Sequence, residues 1–154
     1  MIIEKQNLNN KLITGNGMKK MINFYYGDLK KFYVKKNNRL VSLNELSIRD
    51  FFNFVRKIPY RQDMKPIEVI ARPKHLINHR NLGLDCKKKA ILISSYLKSK
   101  KIPFRLVASS NRKSRKIHHV FPQAKIKNKW RNLDATYQNY KPFQKKQITN
   151  HEIL

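Results

Sequence analysis

Three residue types that together can perform acyl chemistry stand in order along this chain: Cys86, the pair His118-His119, and Asp134. A thiol attacks carbonyls as its thiolate, so it needs a base in hydrogen-bond reach, and the base needs an acceptor to hold its tautomer. Alone, a cysteine is more often a small buried hydrophobe than a nucleophile. Here its neighbours change that balance. Asp85 precedes Cys86 and Lys87, Lys88 and Lys89 follow it. A thiol in the first turn of a helix feels the positive end of the dipole, and three lysines add to that field, while Asp85 opposes part of it. The backbone N–H of the same turn is suited to an oxyanion. The chain has 1 cysteine, which excludes an internal disulfide and a CxxC zinc site and fits a reduced thiol. His75 and His79 have helical spacing but no third ligand nearby, so neither a metal nor a cofactor is expected.

These residues need elements to hold them. Cys86, Ala90, Ile93 and Leu97 form one stripe of an amphipathic helix over 86–99, with Asp85 as N-cap and Lys98, Lys100 and Lys101 near the negative end of its dipole. After Pro103, Phe104-Arg105-Leu106-Val107 reads as a strand, followed by the basic loop SSNRKSRK and a second strand near 117–126. Lys127-Asn128 turns this strand into a third, over 129–135. If Lys127 and Asn128 are the central turn residues, position 119 faces 136 and 121 faces 134. Asp134 is then a same-face diagonal neighbour of His119, and His118 points the other way. A slip of one residue would exchange the two histidines. A cysteine-bearing helix packed on an antiparallel sheet makes the fold class α+β.

Upstream, residues 1–20 read as a loosely held basic arm with Gly15-Asn16-Gly17 as a turn. The domain runs over 21–138, and 139–154 reads as a polar, mobile tail. Residues 21–41 mix aromatic and basic residues and are ambiguous, with Lys36-Asn37-Asn38 suiting a hairpin turn. A helix from Ser42 or Ser47 to Lys57 places Leu43, Leu46, Phe51, Phe54 and Val55 on one face, and Pro59 ends it.

The segment from Gly83 to Val107, followed by His119-Val120-Phe121, Trp130 and Asp134-Ala135-Thr136, resembles the transglutaminase-like cysteine protease superfamily. The shared features are an Asp-Cys turn opening a helix with Ala four residues on, an Ile-Pro-Phe-Arg entry to a strand, then His, a hydrophobic strand, Trp and Asp-Ala-Thr. The resemblance spans about 58–138. The interval from His119 to Asp134, with Trp130 before the acid, suits the family and selects His119 over His118. It implies a papain-like core and a site in which Cys86 is the nucleophile, His119 the base and Asp134 the orienting acid. Trp130 is then expected to shield the His–Asp pair from water. Ile58-Pro59-Tyr60-Arg61-Gln62-Asp63 is similar to the stretch before the cysteine turn in small, often phage-encoded members, so Tyr60 or Gln62 is expected to supply a second oxyanion donor. The sequence departs from the family at Leu84, between Gly83 and Asp85; at Lys101, where Gly usually precedes Ile-Pro; and at Pro122, which suits only an edge or bulged strand.

Charge sets the remaining expectations. Lys and Arg total 35 against 9 Asp and Glu, a formal net charge of +26. A polyanion is the natural partner of such a surface, with Arg112, Lys113, Arg115 and Lys116 as nucleic-acid contacts. No apolar run approaches the roughly 18 residues of a membrane span, and no secretory signal is legible, which suggests a cytoplasmic protein or one inside a viral particle. Three readings follow. One is a thiol enzyme hydrolysing or transferring a peptide or carboxamide acyl group on a protein or peptide substrate. Another is a nucleic-acid-associated structural protein of a phage-like assembly. The last is a His-Asn-His type nuclease, which lacks its closing histidine, since Lys141 stands at that place.

Overall fold

The computed structural model describes residues 3–7, 11–64, 67–110, 117–148 and 150–154. In chain order its elements are β1 (Ile3–Asn7), α1 (Lys11–Tyr25), β2 (Tyr33–Lys36), β3 (Arg39–Ser42), α2 (Ile48–Lys57), β4 (Ile67–Ala71), α3 (Pro73–Asn78), α4 (Cys86–Ser99), β5 (Phe104–Ser110), β6 (His119–Ile126), β7 (Lys129–Asn132) and β8 (Asn150–Ile153), with short 3-10 turns between some of them. The fold is α+β.

The helix α4 is the centre of the molecule. It packs against β5 and β6 as well as against α1, α2 and α3. Surrounded in this way it is buried from Cys86 through Ile91–Leu97, Lys88 and Lys89 included, so the expected single stripe is replaced by burial on every face. Its start is as read from sequence: the Asp85 carboxylate accepts from the Lys88 N–H at 3.0 Å. Its end is a Schellman turn, in which Ile102 N–H donates to Leu97 O at 2.9 Å and Lys101 N–H to Lys98 O at 3.0 Å. Lys101 therefore adopts φ +57°, the left-handed conformation that explains why glycine is usual there.

The sheet around β5 is antiparallel with order β7-β6-β5-β8. Lys127 and Asn128 take φ +50° and +63°, as a two-residue hairpin turn requires, and Asn37 and Asn38 do the same between β2 and β3 at +50° and +62°. The β6–β7 register runs from Gln123↔Asn132 to Ile126↔Lys129, the one expected from the turn. Pro122 lies in an internal strand in regular register with β5, where an edge or a bulge was expected. The pairing with β7 ends just before it, where Leu133 N–H donates to Pro122 O at 2.9 Å, so the missing proline N–H falls where β7 leaves the ladder.

Two further expectations are corrected. The residues read as a basic arm include β1, which pairs with β4 from Ile3↔Ala71 to Asn7↔Ile67, and most of α1, whose Met18, Met21 and Ile22 are in the core. Gly15 and Gly17 sit inside that helix rather than in a turn; burial of the apolar residues around them outweighs their weak helix propensity. The expected tail contains β8, paired with β5 from Val107↔Ile153 to Ser110↔Asn150. The helix α2 starts at Ile48 under a Ser47 cap, which accepts from Asp50 N–H at 3.1 Å. Ser42 instead donates to Lys30 O at 2.9 Å.

Candidate active site

Cys86 is delivered by a tight approach of two chain segments. Leu84 N–H donates to Pro59 O at 2.8 Å and Arg61 N–H to Leu84 O at 3.3 Å, a parallel bridge that lays Tyr60 beside the residues leading into α4. Gly83 makes this approach possible: it has φ +88°, and a Cβ there would lie 2.7 Å from the Cβ of Arg61. At the first position of α4 the Cys86 N–H has no intrahelical acceptor, which leaves a donor beside the sulfur.

The three lysines after Cys86 do not act as a free positive field around the thiol. Lys87 lies 3.3 Å from the second Asp85 oxygen, Lys88 is paired with Asp63, and Lys89 is buried against backbone carbonyls.

His119 opens β6 and Asp134 follows β7. The His119 Nε2 and an Asp134 carboxylate oxygen are 2.6 Å apart, and the Cys86 thiol lies near enough to the ring to favour its protonated form. Asp134 is 4 % exposed. Its Oδ1 accepts from the N–H and the hydroxyl of Thr136 at 3.1 and 2.6 Å; its Oδ2 is shared by His119 and by Lys146 at 2.5 Å. Burial works against the charged form of each partner, but the mutual pairing wins. For Asp134, burial is opposed by the hydrogen bond and charge of His119 and by Lys146, and the carboxyl is held at about 2. For His119, burial is opposed by hydrogen bonds to Asp134 and Cys86 and by their charges, and the imidazole is pushed up to about 9. At neutral pH the ring is an imidazolium between a carboxylate and a sulfur. His118 is exposed and does not share this position.

The other expected residues divide. Tyr60 is at the site: its ring is 5.1 Å from that of Tyr137, and burial, with the charges of Tyr137, Cys86 and Asp85, pushes its hydroxyl up to about 12, so it stays a donor. Gln62 is exposed and lines a cavity of about 460 Å³ with Asp63, His75, His79 and Lys88, and neither Cys86 nor His119 lines that cavity. Trp130 is 37 % exposed and lies under the Arg105 guanidinium at 4.3 Å, with Lys125 at 5.9 Å, rather than over the His–Asp pair. Arg112, Lys113, Arg115 and Lys116 lie outside the described residues. Among the described residues no His, Cys, Asp and Glu side chains group as a metal site; His75 and His79 stack at 4.2 Å. Sequence reasoning missed Tyr137 and Lys146, gave Thr136 only as part of the Asp-Ala-Thr pattern, and gave Lys89 only as one of the lysines after Cys86. Lys89 had a signal, because it falls on the apolar side of α4 one turn after Cys86.

A model of the transglutaminase-like superfamily matches residues 35–135, well over half of the chain. The chain belongs to this superfamily. No curated protein and no solved structure matches it. The superfamily match runs from β2 to the residue after Asp134, so it takes in Cys86, His119 and Asp134 but neither Thr136 nor Lys146. Membership carries a thiol-enzyme type of fold. Among the described residues no helix is long and apolar enough to cross a membrane.

Proposed function

We propose that the protein is a thiol enzyme acting on a peptide or carboxamide bond through Cys86, His119 and Asp134. The single observation supporting this most strongly is the His119 ring, hydrogen-bonded to Asp134 at 2.6 Å and influenced by the neighbouring Cys86 thiol. In the proposed reaction the Cys86 thiolate forms a bond to the carbonyl carbon, and the oxyanion is met by the Cys86 N–H and the Tyr60 hydroxyl. The C–N bond breaks as the His119 imidazolium gives its proton to the leaving amine. Water, or a second amine, then attacks the thioester; its proton passes to His119 and the S–C bond breaks, yielding an acid or a new amide. Asp134 keeps its charge and orients the ring.

Alkylation of Cys86 by iodoacetamide, followed from pH 5 to 10 in wild type and His119→Ala, tests this reading. Wild type is expected to be alkylated at pH 6 at least a hundredfold faster than the variant, whose sulfur has no base beside it. A wild-type profile like that of a free thiol, unmoved by loss of His119, would sink the proposal.

The charge of +26 supports a second, compatible reading, in which the surface holds a nucleic acid or other polyanion. Retention on DNA should then fall steeply with salt, whereas equal retention on a neutral matrix would count against it.

A further inference from the structure

Lys89 is among the largest fully buried side chains, 1 % exposed, on the helix that carries Cys86. Its ammonium donates to Ile58 O at 2.5 Å, Thr136 O at 2.9 Å and Arg56 O at 3.4 Å. Each of its protons thus has a carbonyl, and among the described residues no carboxylate touches it directly. Burying an ammonium in this way is costly, and an apolar side chain of similar volume would fill the space with less penalty. Burial pushes the group down to about 8, with only the charge of Asp134 acting in the other direction.

What the lysine provides is connection. Thr136, whose carbonyl it holds, is the residue whose N–H and hydroxyl fix Asp134 Oδ1, and Asp134 Oδ2 fixes His119, which meets Cys86. A chain of contacts therefore leaves α4 at Lys89 and returns to α4 at Cys86. The other two carbonyls belong to the end of α2 and to the residue after it, from which the chain runs through Pro59 to Tyr60. The segments carrying the sulfur, the acid and the Tyr60 hydroxyl all meet at one ammonium group.

We propose that Lys89 is a positioning residue, locking the Asp134–Thr136 turn and the Ile58–Tyr60 segment onto the nucleophile helix so that Asp134 meets His119 in register. The inference rests on the reading of Cys86, His119 and Asp134 as one coupled unit. The sign of a pH effect separates positioning from simple electrostatics. The charged or titratable groups facing the His119–Asp134 pair are Cys86, Lys146, Lys89 and the hydroxyl of Tyr140. Removing the Lys89 charge without disturbing Asp134 would make the imidazolium more favourable and raise the His119 midpoint. Loosening Asp134 would lower it.

The test is the His119 ring titration followed by NMR in the full chain, in wild type, Lys89→Met and Lys89→Gln, with iodoacetamide labelling of Cys86 and thermal unfolding measured in parallel. In Lys89→Met the His119 midpoint is expected to fall by about one pH unit, with slower labelling of Cys86. Lys89→Gln, which keeps two donors, should fall less, and it carries the test if the Met variant does not fold. A midpoint that stays put or rises in a folded variant, even one with a lower Tm, would overturn the proposal, as would failure of both variants to fold, which would make Lys89 a fold-stabilising residue only. A wild-type His119 that titrates near 6.5 would overturn the coupled-unit reading itself.

Discussion

Two carboxylates, Asp28 and Asp134, are each 4 % exposed, and the protein satisfies them in nearly the same way with opposite results. Asp28 accepts from the Arg72 Nε at 2.8 Å and Nη2 at 2.6 Å and from the Lys74 N–H at 3.0 Å. Asp134 takes two bonds from Thr136, one from Lys146 and one from His119. Burial raises both carboxyls and their cationic and N–H partners lower them further, so both lie below the ordinary carboxylate range. The difference lies in the partner. Arg72 holds its protons at any ordinary pH and makes a fixed staple between the turn at Asp28 and the start of α3. His119 can release its proton, and a thiol lies beside its ring. Whether a buried ion pair is inert or can handle protons is decided by the cation.

Exchanging the partners' chemistry is the strongest way to break that contrast. Asp134→Asn keeps the shape of the carboxylate but cannot stabilise an imidazolium. The Cys86 labelling rate at neutral pH should fall by about thirtyfold, the ratio of a full thiolate to a free thiol of ordinary pKa, and the His119 midpoint should drop from about 9 toward its ordinary value. Asp28→Ala should leave the pH profile of labelling untouched and lower stability by about 3 kcal/mol, the lower end of the cost of breaking a buried pair, since the Arg72 side chain is 25 % exposed. Chemical denaturation measures the second effect; a shift in the labelling profile of Asp28→Ala would break the contrast. Lys146→Met is the mildest change. Relieved of a competing cation, Asp134 binds the imidazolium more tightly, and the alkaline limb of the labelling profile should move up by a few tenths of a pH unit.

The linkage signs differ in the same way. His119 titrates above its unfolded value, so its pairing stabilises the fold fully below pH 6.5 and is lost as pH rises through about 9. Asp134 is lowered, so its contribution is present above 3.8 and is lost as pH falls toward about 2. Asp28 contributes above 3.8 and loses that contribution below.

What sequence revealed of this site was what local rules govern. The Asp85 cap, the helix it opens, the Lys127-Asn128 turn and the register that puts position 134 near 119 depend on neighbours a few residues apart. What stayed hidden depends on contacts between distant segments. Trp130 was read as a shield, but Arg105, contributed by β5, takes its ring. Lys88 and Lys89 read as additions to the positive field at Cys86, yet their partners lie at Asp63 and at Ile58 and Thr136. The alternation in Asn150–Ile153 is too polar to announce a strand, and only the open edge of β5 makes it one. In α1, Gly15 and Gly17 disguised a helix whose reason to exist is burial of Met18, Met21 and Ile22.

The two-residue turn at Lys127-Asn128 has a consequence for the order of assembly. Closing it costs little chain entropy, so β6 and β7 can pair early and bring His119 and Asp134 together within one hairpin. Cys86 joins only when α4 docks, a step that also needs the more distant α1 and α2. Until then its sulfur has no base beside it and reacts as an ordinary thiol. If Cys86 acts as proposed, the nascent chain would thereby be protected from its own chemistry until the core closes around α4.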